Sequence, residues 1–195
     1  MLSKVAERVY WTARYIERVE NTARLIRVYD NLLFDLPRSV NFGWFNLIAI
    51  NSAQQEFQER YKIHDERNVV KFLIGDESNS SSIVSALKMI RENVRTTRDV
   101  IPEDTWELTN ELSLYVHEHL QQGINRSKRH EYLDGVIKGC HQIQGLLYTT
   151  MAHDAAWDFL RLGRSLERAD MTTRILDAGI AAVLQVVDDD NAVNS

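Results

Sequence analysis

Apolar residues return along this chain at alternating steps of three and four, and strand-like alternation is hard to find. That spacing lays an apolar stripe along one face of an α-helix. The first such stretch runs from about Ser3 to Phe34, with Ser3 placed as an N-cap. Within it Val5, Val9, Thr12, Ile16, Val19, Ala23, Ile26 and Leu33 form a packing seam, and Asp30 occupies one expected apolar slot. Further helices are predicted over about 40–61, 66–74, 83–100, 102–122 and 129–151. The only two prolines, Pro37 and Pro102, sit where the helical pattern breaks, and Pro102-Glu103-Asp104 reads as a helix start. The stretch from Gly75 to Ser82 reads as a loop whose serines cap the next helix. A last long helix begins near His153 or Asp154. It repeats the first seam at Ala155, Phe159, Leu162, Leu166, Ala169, Thr173, Leu176 and Val183. The expected fold class is all-α, a helical bundle of six or seven helices whose first and last are long and similar. Residues 1–187 are expected to form one domain and 188–195 a loose polar tail.

The repeat covers charge as well as packing. Residues 13–26 and 163–176 align with five identities in fourteen positions: Arg14/Arg164, Glu17/Glu167, Arg18/Arg168, Thr22/Thr172 and Arg24/Arg174. Average composition predicts roughly one such match by chance. Glu20 aligns with Asp170, and each precedes an arginine by four residues, the favourable acid-before-base spacing. Arg14, Glu17, Arg18 and Asn21 share one helix stripe beside the apolar seam, and Arg164, Glu167 and Arg168 form its counterpart. Charges in that position are expected to be partly buried and to need partners.

Three readings of this signature stand side by side. The acids and arginines can be structural ion pairs tying two helices together. They can form a binding site, since arginine forks suit carboxylate or phosphate and paired acids can receive an amine. Acids three residues apart on two helices also invite a metal. Against a metal, the chain has no Glu-x-x-His pair, and arginines beside each acid oppose a cation.

Composition narrows the functional class. The 195 residues are 44% hydrophobic and 26% charged, with a net charge of −5, so the total charge favours neither nucleic acid nor an anionic membrane. No apolar run approaches the length of a spanning helix, and Glu7 and Arg8 interrupt the first apolar stretch as no signal peptide would allow. Cys140 is the only cysteine, which suits a reducing cytoplasm and a buried apolar role better than a nucleophile. His117 and His119 point apart on a helix and read as solvated or capping residues. No glycine-rich phosphate loop, nucleophile elbow or zinc spacing occurs. A second polar patch runs through Arg91, Glu92, Asn93, Arg95, Arg98 and Asp99 to Trp106, Glu107 and Asn110. Its acids interleave with its bases, so a solvated or ion-paired face is expected over an RNA-binding stripe, with Trp106 as a core anchor.

Three motifs in order carry a resemblance. The opening from Met1 to Arg24, the middle motif Arg91-Glu92-Asn93 with Arg95, Arg98-Asp99, Trp106-Glu107 and Asn110, and the stretch from Phe159 to Arg174 closely resemble the bacterial alpha-E family. The likeness covers about residues 1–178. It implies a helical protein found alongside, or fused to, ATP-grasp proteins that look like amide or peptide ligases, often with transglutaminase-like proteins nearby. ATP and Mg²⁺ would then belong to the partner, with no cofactor in this chain. The substrate would be a peptide or amino acid, and self-association stays open. By resemblance the motif residues are Arg14, Glu17, Arg18, Glu20, Asn21, Arg24, Arg91, Glu92, Asn93, Arg95, Trp106, Glu107, Arg164, Glu167, Arg168, Asp170 and Arg174. Members of the family commonly continue well past the second repeat, so a fragment or shortened member is expected here. The functional expectation is an accessory protein that binds the ligase or its substrate. The alternatives are an enzyme using Glu17 and Glu167 as an acid/base pair, and a purely structural module.

Overall fold

A computed structural model describes residues 1–35 and 43–193, with side chains of 33–35 and 181–193 left aside. The expected break at Pro37 and the seam positions Leu33 and Val183 lie outside what it describes. Among the described residues there are nine α-helices and one short 3-10 turn, and no strand. They are α1 (Ser3–Asp35), α2 (Phe45–Ile50), α3 (Gln54–Gln58), α4 (Glu66–Ile74), α5 (Ile83–Arg95), α6 (Asp104–Glu118), α7 (Leu120–Ile124), α8 (Arg129–Thr150) and α9 (Ala155–Val193). The 3-10 turn Arg126–Lys128 leads into α8.

Local chemistry explains the boundaries. The Asp65 side chain accepts from the Asn68 N–H and caps α4, and Ser82 accepts from the Ser85 N–H and caps α5. The Asp154 carboxylate accepts from the Ala156 and Trp157 N–H groups, which starts α9 at Ala155. Ser3 is not a cap: it is the first helical residue, and the Leu2 carbonyl accepts from the Val5 and Ala6 N–H groups. The helix predicted over 40–61 is split in two because Ser52 takes a left-handed conformation, φ 53°, after Ile50. The helix predicted to reach residue 122 breaks at His119, and the turn beyond it meets α4. Helix α5 stops at Arg95, earlier than its pattern suggests. There the Thr96 and Thr97 hydroxyls donate back to the Glu92 and Asn93 carbonyls and compete with helix continuation. Helix α9 continues through most of the expected tail to Val193, and residues 194–195 are not described.

The buried apolar residues form one contiguous core drawn from every part of the described chain. Helix α1 runs through its middle and contacts α5, α8 and α9. Its predicted seam is buried at Val9, Thr12, Ile16, Val19, Ala23 and Ile26. The same seam on α9 is not: Ala155, Phe159, Leu162, Leu166, Ala169, Thr173 and Leu176 are all exposed. Helix α9 instead buries the neighbouring stripe of Ala156, Trp157, Leu160, Gly163, Glu167 and Met171, which faces α1. The physical reason is one of neighbours. The α1 seam is covered by α5 and α8, and no described helix stands at the equivalent place beside α9.

Candidate functional site

The two charged signatures meet. Helices α1 and α9 run parallel, held close where Gly163 lies on α1: a Cβ there would stand 2.3 Å from the Tyr10 carbonyl oxygen and 3.3 Å from the Ala13 Cβ. Four residues further along α9, Glu167 lies between Arg14 and Arg18. Arg14 Nε donates to Glu167 Oε2 at 2.6 Å, and Arg18 donates through Nε to Oε1 at 2.6 Å and through Nη2 to Oε2 at 3.1 Å. The reciprocal arrangement surrounds Glu17. Arg164 Nε donates to Glu17 Oε2 at 3.3 Å, and Arg168 donates through Nε to Oε1 at 2.8 Å and through Nη2 to Oε2 at 3.2 Å. Each glutamate is thus held by the two arginines of the other repeat. Both are only 1% exposed. Arginine forks on a carboxylate make the strongest class of ion-paired hydrogen bond.

The second acid of each signature sits at the margin. Glu20 accepts from Arg24 Nε at 2.8 Å and from Gln144 Nε2 at 3.0 Å, with His141 Nε2 3.0 Å away. Asp170 accepts from Arg174 Nε at 2.9 Å. Gln144 also accepts from Arg164 Nη2 at 3.2 Å, so α8 bridges both repeats. Arg174 reaches Ser52, the residue that splits α2 from α3. Asn21 makes no hydrogen bond or ion pair among the described residues.

Charge balance sets the electrostatics. Four guanidinium groups face two carboxylates at the crossing, while Glu20 with Arg24 and Asp170 with Arg174 balance themselves. The crossing is therefore cationic. Burial works against the charge on Arg14, but hydrogen bonds with Tyr10 and Glu167 outweigh it and raise its pKa. The hydrogen bond with Glu17 raises Arg168. Burial alone would raise Glu20, yet the hydrogen bonds with Arg24 and His141 outweigh it and lower its pKa. Aromatic rings line one side: the Arg14 guanidinium carbon is 5.3 Å from the Trp11 ring centre, and that of Arg18 is 5.7 Å from Tyr15.

These contacts bear on chemistry. Every carboxylate oxygen of Glu17 and Glu167 already accepts from arginine. The cavity beside Glu167, bounded by Arg18, Asn51, Ser81, Asp170 and Arg174, holds only about 80 Å³. That suits water better than a substrate. Among the described residues, no group of three or more His, Cys, Asp and Glu side chains is placed for a metal.

The middle motif does not join the crossing. Arg91 Nε donates to Asn110 at 2.8 Å, and the guanidinium groups of Arg91 and Arg98 lie 5.8 and 4.3 Å from the Trp106 ring centre. Because α5 ends at Arg95, Arg98 reaches Trp106 from the turn and not from a shared helix face. Glu92 and Arg95 form an exposed pair at 2.8 Å. Trp106 packs only partly against the core, and Glu107 makes no ion pair among the described residues. Asn93 turns the other way, toward α1. His117 and His119 each bond the carbonyl four residues back, Ser113 and Tyr115. Cys140 is fully buried, and that burial pushes its thiol pKa up, as an apolar role requires.

One buried network escaped the sequence reading. Arg129 is 1% exposed, donates to Glu66 at 2.7 Å and to the Gly123 and Ile124 carbonyls, and pairs with Asp30 at 3.5 Å. Asp30 also meets His130 at 3.2 Å. The available signal was an acid standing in an apolar slot of the α1 seam.

The sequence profile of the Alpha-E family, described as a predicted alpha-helical domain with a conserved ER motif, matches residues 1–194. The chain belongs to the Alpha-E family. Of the Glu-Arg dipeptides in this Alpha-E chain, Glu17-Arg18 and Glu167-Arg168 are the two whose members pair with one another. Among curated proteins it is similar to an uncharacterized protein of Mycobacterium bovis and to one of Mycobacterium tuberculosis. Each is 21% identical over an alignment 203 residues long that covers 92% of this chain and 22% of the relative. The chain thus spans about a fifth of the length of the curated relatives it matches. No solved structure matches it.

Proposed function

We propose that this Alpha-E chain is an accessory docking module, working in the cytoplasm with an ATP-grasp-type amide or peptide ligase. In this reading it is not itself the catalyst. The ligase supplies ATP, Mg²⁺ and the reaction, and the Alpha-E chain binds the ligase or presents its peptide substrate. A transglutaminase-like protein is the second partner to look for. The observation that carries the reading is a contrast on two parallel helices. The acids best placed for chemistry are sealed by arginine, while α9 turns an apolar heptad face of Phe159, Leu162, Leu166, Leu176 and Ile180 to solvent. Contiguous apolar faces of this kind mark protein interaction sites. In the mycobacterial relatives most of the polypeptide lies outside the matched stretch, so a unit of this type has large neighbours there.

Sealed glutamates also weigh against the stand-alone enzyme. A general acid or base must reach the proton it moves, and neither Glu17 nor Glu167 is accessible. Affinity purification of the tagged chain from its native cells, followed by mass spectrometry, tests the proposal. Recovery of an ATP-grasp protein with the unaltered chain, and its loss with Leu162→Glu/Leu176→Glu at unchanged melting temperature, supports docking through α9. Failure to recover any such ligase, with turnover by the isolated chain that disappears in folded Glu167→Gln, would replace it with the enzyme reading.

A further inference from the structure

A cleft of about 370 Å³ lies between α1 and α5, apart from the Arg-Glu crossing. Its size falls in the range of small-ligand sites. Trp11 and Tyr15 form one wall, with ring centres 5.5 Å apart and planes 28° from parallel. Arg14 and Arg18 lie over these rings, so the wall is held in place by the crossing. Met89 adds apolar surface from α5.

Asn93 is the uncharged polar group beside this aromatic wall. It is 8% exposed, and its side-chain amide makes no hydrogen bond among the described residues. Its backbone carbonyl accepts from the Thr96 and Thr97 hydroxyls. Its amide atoms are not sealed from solvent, so water or a ligand in the cleft can meet them. Asn93 offers both a donor and an acceptor, which is what a peptide bond requires.

The rim is cationic. Lys4 and Arg8 line it together with Glu7, leaving one net positive charge. Lys4 stands in the first turn of α1, where no acid is present. A base there breaks the usual rule, because the positive end of the helix dipole favours an anion. A single net charge suits one carboxylate better than a polyphosphate.

We propose that this cleft binds the carboxyl-terminal residue of a peptide. Lys4 and Arg8 meet the terminal carboxylate, Asn93 pairs with the last peptide bond, and an apolar side chain lies on Trp11, Tyr15 and Met89. Such a terminus is the group an amide ligase activates. Only that link rests on the accessory reading; binding by the isolated chain does not.

Calorimetric titration of the full chain with N-acetylphenylalanine, its carboxamide and inorganic phosphate tests the assignment. The expected result is saturable one-to-one binding of the carboxylate probe. The carboxamide should bind about tenfold more weakly, the loss of one charged hydrogen bond. Asn93→Ala and Trp11→Leu should each weaken the carboxylate probe by about tenfold or more. Lys4→Ala, at an exposed position that does not endanger folding, should weaken that probe and leave the carboxamide unaffected. Absence of saturable binding, equal binding of carboxylate and carboxamide, equal binding of phosphate, or full affinity in folded Asn93→Ala would each overturn the proposal. A ligase missing from the purification would not, because this assay contains no ligase.

Discussion

Glu167 and Glu17 occupy equivalent places in the two repeats, yet their surroundings differ. The partners of Glu167, Arg14 and Arg18, have side chains 18% and 20% exposed, whereas those of Glu17, Arg164 and Arg168, are 27% and 56% exposed. Removing one member of a buried pair leaves the other charge uncompensated, at a cost of about 3–5 kcal/mol. Glu167→Gln should approach that cost in urea unfolding. Glu17→Gln should cost less, because water reaches Arg168. Equal costs would mean that exposure does not set the energy of the crossing. Glu20 is a pH probe of the same region. Its folded pKa lies below the ordinary carboxyl value of 4.5, so its contribution to stability is fully present above 4.5 and is lost as pH falls through the lower, folded value. The groups facing it are Arg24, His141 and Gln144. Glu20→Gln should therefore flatten the acid side of the stability profile, measured by denaturant midpoints between pH 6 and about pH 3. These residue types and their i,i+4 pairing were legible in the sequence. The identity of the cross-helix partners was not, because each arginine could equally have faced solvent or a ligand.

At the scale of elements, one seam written twice has two fates. Ile16 on α1 is buried, so Ile16→Ala should cost about 2–5 kcal/mol. Its counterpart Leu166 on α9 is exposed, so Leu166→Ala should change stability by no more than about 0.5 kcal/mol. Thermal and urea unfolding of the two variants would compare them directly, and a large loss for Leu166→Ala would show that the α9 face is covered in solution. Gly163 sets the distance between the helices. A Cβ there would meet the Tyr10 backbone carbonyl, which cannot rotate away as a side chain can. Gly163→Ala should therefore cost about 1–3 kcal/mol through overpacking and weaken the crossing a few residues further on. Helix periodicity predicted most elements well, down to α4 at Glu66–Ile74. The breaks at Ser52 and His119 were not visible, since neither position carries glycine or proline. At Ser52 a left-handed turn is held by its place in the fold, including the contact from Arg174.

Across the whole molecule, the crossing joins the first and last helices of the described chain and Arg129 joins the middle. Arg129 draws together α1 through Asp30, α4 through Glu66, and the carbonyls of α7. Arg129→Met should cost about 3–5 kcal/mol by removing the buried guanidinium that Glu66, Asp30 and the α7 carbonyls share, a loss that unfolding at neutral pH would read. The sequence by itself determined the all-α class, most helix boundaries and the paired signature, because periodicity, capping and i,i+4 charge spacing are local properties of the chain. Tertiary structure alone decided that the two signatures cross in parallel, that each glutamate takes the other repeat's arginines, and that one copy of the seam is buried while the other faces solvent. Those outcomes depend on which helices stand beside each face, and neighbours distant along the chain leave no local period to read.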